Sequence, residues 1–112
     1  MMAFLMGLKS VSPADLDALV AAKQVTVLDV NSAGSYAKAH IPGARNLDPE
    51  AFGSEDLPAD KRSSLVFYCS NPLCRKAPIA AKRAKQMGYE DVKVMSAGIN
   101  GWISSGLATE AA

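Results

Sequence analysis

Apolar residues fall along this chain in short blocks separated by polar joints containing Gly and Pro, and the spacing within each block predicts its element. Leu65-Val66-Phe67-Tyr68 is a continuous apolar run with β-branched and aromatic members, too short for a typical helix. It predicts a buried strand that delivers Cys69 to its end. Val25 to Val30 is mostly apolar rather than alternating, as expected of a parallel strand covered on both faces. Leu8 to Val11, Ala44 to Leu47 and Val92 to Met95 predict three shorter strands. Helical spacing lies between these runs. Ser12-Pro13-Ala14-Asp15 supplies a cap, with Val11 and Leu16 as its hydrophobic staple, for a helix burying Leu16, Leu19 and Val20 and ending near Lys23. Ser32 caps a short helix through Tyr36 and Ala39. Ala77, Ala80, Ala81, Ala84 and Met87 recur at helical spacing with Pro78 in the first turn and Gly88 at the stop. After Gly98 a last helix is expected to carry Ile99, Trp102 and Ile103 toward the core. His40 to Ala44 predicts a turn with positive φ at Gly43, and Asp48 to Ser64 a connector with two helical turns around Phe52 and Asp60.

Strands alternating with helices imply an α/β fold, a single domain over residues 1–112 with an open parallel sheet and helices on both faces. Ligands of such sheets sit at the carboxyl ends of the strands, where Cys69 falls. The hydrophobic fraction of 49% is enough for one core without disulfide staples. Twelve basic against eleven acidic residues give no nucleic-acid surface and no polybasic membrane patch, which leaves small anions as the charged ligands to expect. The basic run of Lys76, Lys82, Arg83 and Lys85 is read as a solvated helix face. Two cysteines close in sequence and one His argue against a disulfide scaffold or a metal cluster and fit a reducing, cytoplasmic setting. Met1 to Leu8 is apolar but lacks a basic flank and a clear cleavage site, so it predicts a strand arm rather than a signal peptide.

The chemistry is expected in Cys69-Ser70-Asn71-Pro72-Leu73-Cys74-Arg75-Lys76. A thiol at a strand exit, followed by a helix start, meets free N–H groups and the positive end of a helix dipole. That field favours an anion and should lower the thiol pKa. Cys69 is therefore the candidate nucleophile, with Ser70, Asn71, Leu73, Cys74, Arg75 and Lys76 as the substrate-binding loop and the Arg75 guanidinium folding back over a bound oxyanion. No metal or organic cofactor is called for. Asp29, Asn31 and His40 are read as structural groups that satisfy turns, and Tyr36 and Trp102 as core.

Val27-Leu28-Asp29-Val30, Tyr36, His40-Ile41-Pro42-Gly43-Ala44, Val66-Phe67-Tyr68-Cys69 and Gly98-Ile99-Asn100-Gly101-Trp102, in this order and spacing, resemble the rhodanese-like domain family over nearly the whole chain. The resemblance implies a sulfurtransferase: Cys69 accepts a sulfane sulfur from a small sulfur-containing anion such as thiosulfate and passes it, as a persulfide, to cyanide, a thiol or a protein acceptor. Asn31 stands where many members carry Arg. The loop is one residue longer than the common sulfurtransferase loop, which resembles the dual-specificity phosphatase and arsenate reductase branch. That alternative wants an acid for the leaving group, with Asp29 and Glu55 as candidates, and Pro72 removes one of its amide donors. Two more readings stand beside these: a thiol redox module in which Cys74 resolves Cys69, and a non-enzymatic interaction module.

Overall fold

The computed structural model describes residues 8–112, so the arm expected over Met1 to Leu8 lies, Leu8 apart, outside the described residues. Five strands form one sheet: β1 (Lys9–Ser10), β2 (Thr26–Asp29), β3 (Arg45–Asn46), β4 (Ser64–Tyr68) and β5 (Asp91–Val94). Their order is β1-β5-β4-β2-β3, and every pairing is parallel. Among the described residues the helices are α1 (Pro13–Ala21), α2 (Ala33–Lys38), α3 (Lys76–Gln86) and α4 (Gly98–Ser104). None is long and apolar enough to cross a membrane.

Local signals explain the boundaries. The Ser12 hydroxyl accepts from the Asp15 amide at 3.1 Å with Pro13 at the first helical position, and the Ser32 hydroxyl likewise accepts from Ser35 at 3.2 Å. Gly43 turns the chain at φ 82°. The connector holds a short 3-10 turn at Ser54–Asp56 instead of two helical turns. Around Phe52 and Asp60 there are single hydrogen-bonded turns, Phe52 to Asp48 and Ser63 to Asp60, because Phe52 is followed by Gly53 and Asp60 lies among polar residues, which leaves no second apolar turn to bury.

Along β4 the side chains alternate: Leu65 and Phe67 join the layer beneath α3 with Ala77, Ala80, Ala81 and Ala84, while Val66 and Tyr68 join the opposite layer with Leu16 of α1 and Trp102 of α4. Helices therefore cover both faces. Ile103 does not reach the core. It is 49% exposed, since the seven-residue α4 buries a single stripe through Gly98 and Trp102, and the next residue is turned about 100° away.

The chain runs outward from β2 to β3 on one side and from β4 to β5 on the other. The carboxyl ends of β2 and β4, adjacent in the sheet, thus form the topological switch point at which parallel sheets present a crevice.

Candidate functional site

Cys69 leaves β4 at that switch point. It is 3% exposed and belongs to the apolar layer beneath α3. What keeps it from being an ordinary core thiol is the backbone around it. The amides of Ile99 and Asn100, in the first turn of α4, donate to the carbonyls of Cys69 and Ser70 at 2.9 and 3.0 Å. A trans peptide holds each N–H opposite its C=O, so this anchoring turns the amides of Ser70 and Asn71 away from α4 and into the loop. Gly98 makes the docking possible. It sits at φ 69°, and a Cβ there would meet the Ser70 carbonyl carbon and the Asn71 nitrogen, the latter at 2.5 Å.

The loop then folds sharply. The Asn71 side chain accepts from the Leu73 amide at 2.9 Å and the Asn71 carbonyl accepts from the Cys74 amide at 3.1 Å, closing a β-turn with Pro72 at its second position. Pro72, which gives no donor to an anion, serves instead to preset this turn. The turn brings Cys74 back against Cys69. Both cysteines are free, Cys74 half-buried and packed on the same layer as Cys69.

Burial, and then the neighbouring Cys74 side chain, push the Cys69 thiol up to about 12, against the opposing amides of Ala77 and Ser70. Burial also raises Cys74. There, however, the neighbouring Cys69 side chain, the amides of Lys76 and Ser70 and the Lys76 charge outweigh it and leave the thiol below its ordinary value. The expected lowering thus falls on Cys74 and not on Cys69 in the resting loop, because the more exposed sulfur keeps part of its solvation. The amides of Ser70, Lys76 and Ala77 together face the sulfur pair.

The remaining loop candidates separate. Leu73 is 89% exposed at the apex, and Arg75 occupies the N-cap position of α3, exposed and in no salt bridge among the described residues. Lys76 is exposed and lines a cavity of about 480 Å³ together with Asn31, Asn46, Asp48, Glu50 and Ile79. Neither cysteine lines that cavity. Glu55 is exposed in the short turn with its carboxylate folded over Gly53.

Asp29 belongs to the opposite face of the sheet. Its oxygens accept from the Tyr68 hydroxyl at 2.6 Å and the Asn31 amide at 2.8 Å, and the Tyr68 hydroxyl in turn accepts from the Ile41 amide at 3.0 Å. Burial raises the Asp29 pKa against those bonds, and it raises Tyr68 as well. His40 is equally committed, its Nδ1 at 2.8 Å from the Tyr36 carbonyl and its ring stacked on Tyr36. Asn31 does more than cap a turn: its Oδ1 accepts from the Ser70 hydroxyl at 2.8 Å, which pins the loop to the end of β2.

With this geometry in view, the sequence model of the rhodanese-like domain matches residues 12–105. The chain belongs to the rhodanese-like domain family. This rhodanese-like chain is 29% identical to the thiosulfate sulfurtransferase GlpE of Shewanella oneidensis over 84% of its own length and 91% of that protein. A 48% identity to a thiosulfate sulfurtransferase of Azotobacter vinelandii covers 36% of the chain and only 15% of the larger protein. An HTH-type transcriptional regulator of Mycobacterium tuberculosis is 33% identical over 80% of the chain, which spans 39% of that regulator. Among solved structures, the BH2092 protein of Bacillus halodurans superposes with a TM-score of 0.84 at 26% identity, covering 92% of this chain and 77% of that one. A thiosulfate sulfurtransferase of Pseudomonas aeruginosa superposes at 0.81, also with 26% identity, over 93% of this chain and 19% of that one. Family and fold agree with what the motifs implied.

Proposed function

We propose that this rhodanese-like domain is a sulfurtransferase that carries a sulfane sulfur as a persulfide on Cys69. One observation carries the choice of chemistry. Three successive loop positions give a bound oxyanion no amide hydrogen: Pro72 has none, and those of Leu73 and Cys74 are spent on Asn71. A phosphate or arsenate cradle wants such donors around its equatorial oxygens. The amides of Ser70 and Ala77, by contrast, face a sulfur at the position of Cys69. The carboxylate that ester cleavage would need is also missing from Asp29, which is tied to Tyr68 on the other face of the sheet.

In the proposed half-reaction Cys69 gives up its proton to solvent, and its thiolate, faced by the amides of Ser70 and Ala77, attacks the outer sulfur of a thiosulfate-like donor. The bond from that sulfur to the sulfonyl group breaks, sulfite leaves with the electron pair, and an anionic persulfide remains within reach of the Ser70 and Ala77 amides. Lys76 and Arg75, both exposed at the start of α3, meet the donor's oxyanion end. A thiophile, whether a small thiol or a protein thiol, then removes the sulfur. Neither nucleic acid nor membrane has a role in this chemistry, and two reduced cysteines suit a cytoplasmic setting.

Mixing the reduced protein with thiosulfate tests the reading. A burst of sulfite stoichiometric with protein is expected, and none from Cys69→Ser. Absence of the burst with thiosulfate, a thiosulfonate and polysulfide alike overturns it.

A further inference from the structure

Cys69 is almost closed off from solvent, and the half-buried thiol of Cys74 packs against the layer that holds it. The turn from Asn71 to Cys74 holds this neighbour in place through two hydrogen bonds, and Cys74 packs on the layer containing Cys69. An external thiol approaching the loop meets Cys74 first, since Cys69 is 3% exposed and Cys74 half-buried.

We propose that Cys74 is the resolving thiol of this loop: it displaces the sulfane sulfur from Cys69 as hydrosulfide and leaves a Cys69–Cys74 disulfide, which an external dithiol then reduces. The proposal rests on sulfur transfer to Cys69 as described above. In the step itself a bond forms between the sulfurs of Cys74 and Cys69 while the bond from Cys69 to the outer sulfur breaks. The outer sulfur takes the electron pair and the Cys74 proton and departs as hydrosulfide. The sulfane sulfur gains two electrons and the two cysteines lose them, so no further oxidant is required.

The direction of attack follows from leaving-group chemistry. Attack on the outer sulfur would have to expel Cys69, a buried thiolate of high basicity, whereas attack on the Cys69 sulfur expels the less basic hydrosulfide. Cys74 is the better thiolate of the pair and lies on the accessible side. The same exposure makes Cys74 the sulfur an incoming dithiol attacks, which frees Cys69 for another cycle. The protein's net reaction is then reduction of a sulfane sulfur to hydrosulfide at the expense of a dithiol.

The test is a single turnover of the fully reduced protein with thiosulfate and no acceptor, following sulfite, hydrosulfide and intact mass after an acid quench. Wild-type protein is expected to release sulfite and hydrosulfide in equal amounts and to end two hydrogens lighter, with Cys69 and Cys74 in one cross-linked peptide. Cys74→Ser and Cys74→Ala are expected to release sulfite, remain one sulfur heavier and lose hydrosulfide at least about tenfold more slowly. Their sulfite burst shows that they are folded. Sulfite with no excess hydrosulfide from wild type over the variants, or sulfur found on Cys74, overturns the resolving role and leaves sulfur transfer standing. No sulfite from any of the three proteins overturns both.

Discussion

The side chain of Asn31 accepts a hydrogen bond from the Ser70 hydroxyl at 2.8 Å, joining the residues that follow β2 and β4 across the switch point of the sheet. The contact lies beside the cysteine pair and bridges 39 positions of sequence. It turns a floppy strand exit into a wall of the sulfur site.

Asn31→Ala and Ser70→Ala should each cost about 1 kcal/mol, and the double variant little more than either single one, as expected of a neutral hydrogen bond. Urea unfolding of the four proteins in the cycle checks this. The sulfite burst should slow in both single variants because the Ser70 amide loses its fixed direction.

Gly98→Ala should destabilise the domain by about 2 kcal/mol or more, since the new methyl meets backbone atoms of Ser70 and Asn71 and φ 69° is itself unfavourable for Ala. Thermal unfolding measures the loss. Gly106→Ala, at a similar φ of 80° with open space around it, should pay only the backbone part and keep its sulfite burst.

Replacing Tyr68 by Phe leaves the Asp29 carboxylate and the Ile41 amide short of a partner on a buried face. A loss of about 2 kcal/mol is expected. The hydroxyl bonds the ionised carboxylate, so its removal raises the Asp29 pKa further. The loss is therefore larger where Asp29 is ionised and in need of that donor, and shrinks as the pH falls and the carboxyl takes up a proton. Unfolding free energies of the two proteins at several pH values decide it.

Alkylation with iodoacetamide should mark Cys74 before Cys69 at neutral pH, as peptide mapping would show. Cys69 is held neutral up to about 12, so between the ordinary thiol range and that value the folded protein keeps a proton that the unfolded chain gives up. Its contribution to stability is complete below that range and is lost as the pH climbs through it. Cys74→Ala removes the causes other than burial that raise Cys69, and the alkylation profile of Cys69 should move to lower pH.

Much of this arrangement was legible in the residues. The strand ending in Tyr68 and the cap at Ser12 follow from local pattern, and the order of motifs from Val27 to Trp102 carried the family. Three features were not legible, each for a physical reason. The bond from Ser70 to Asn31 joins distant positions, so no spacing signals it. Which of Cys69 and Cys74 is the more acidic depends on which sulfur retains solvent, a property of the packed loop rather than of a helix terminus. Ile103 was expected in the core because it is apolar, but a helix as short as α4 has room for one stripe only. Gly98 was visible as part of a motif, while its role as the landing point for the Ser70 peptide required the fold.

The docking of α4 onto the loop also sets an order of events during synthesis. Ile99 and Asn100 leave the ribosome some thirty residues after Cys69, and until they arrive the carbonyls of Cys69 and Ser70 lack the amides that anchor them. A nascent chain therefore carries an unshaped thiol, no more selective than one in a loose peptide. The last of the described helices to emerge is the one that gives it a chemical identity.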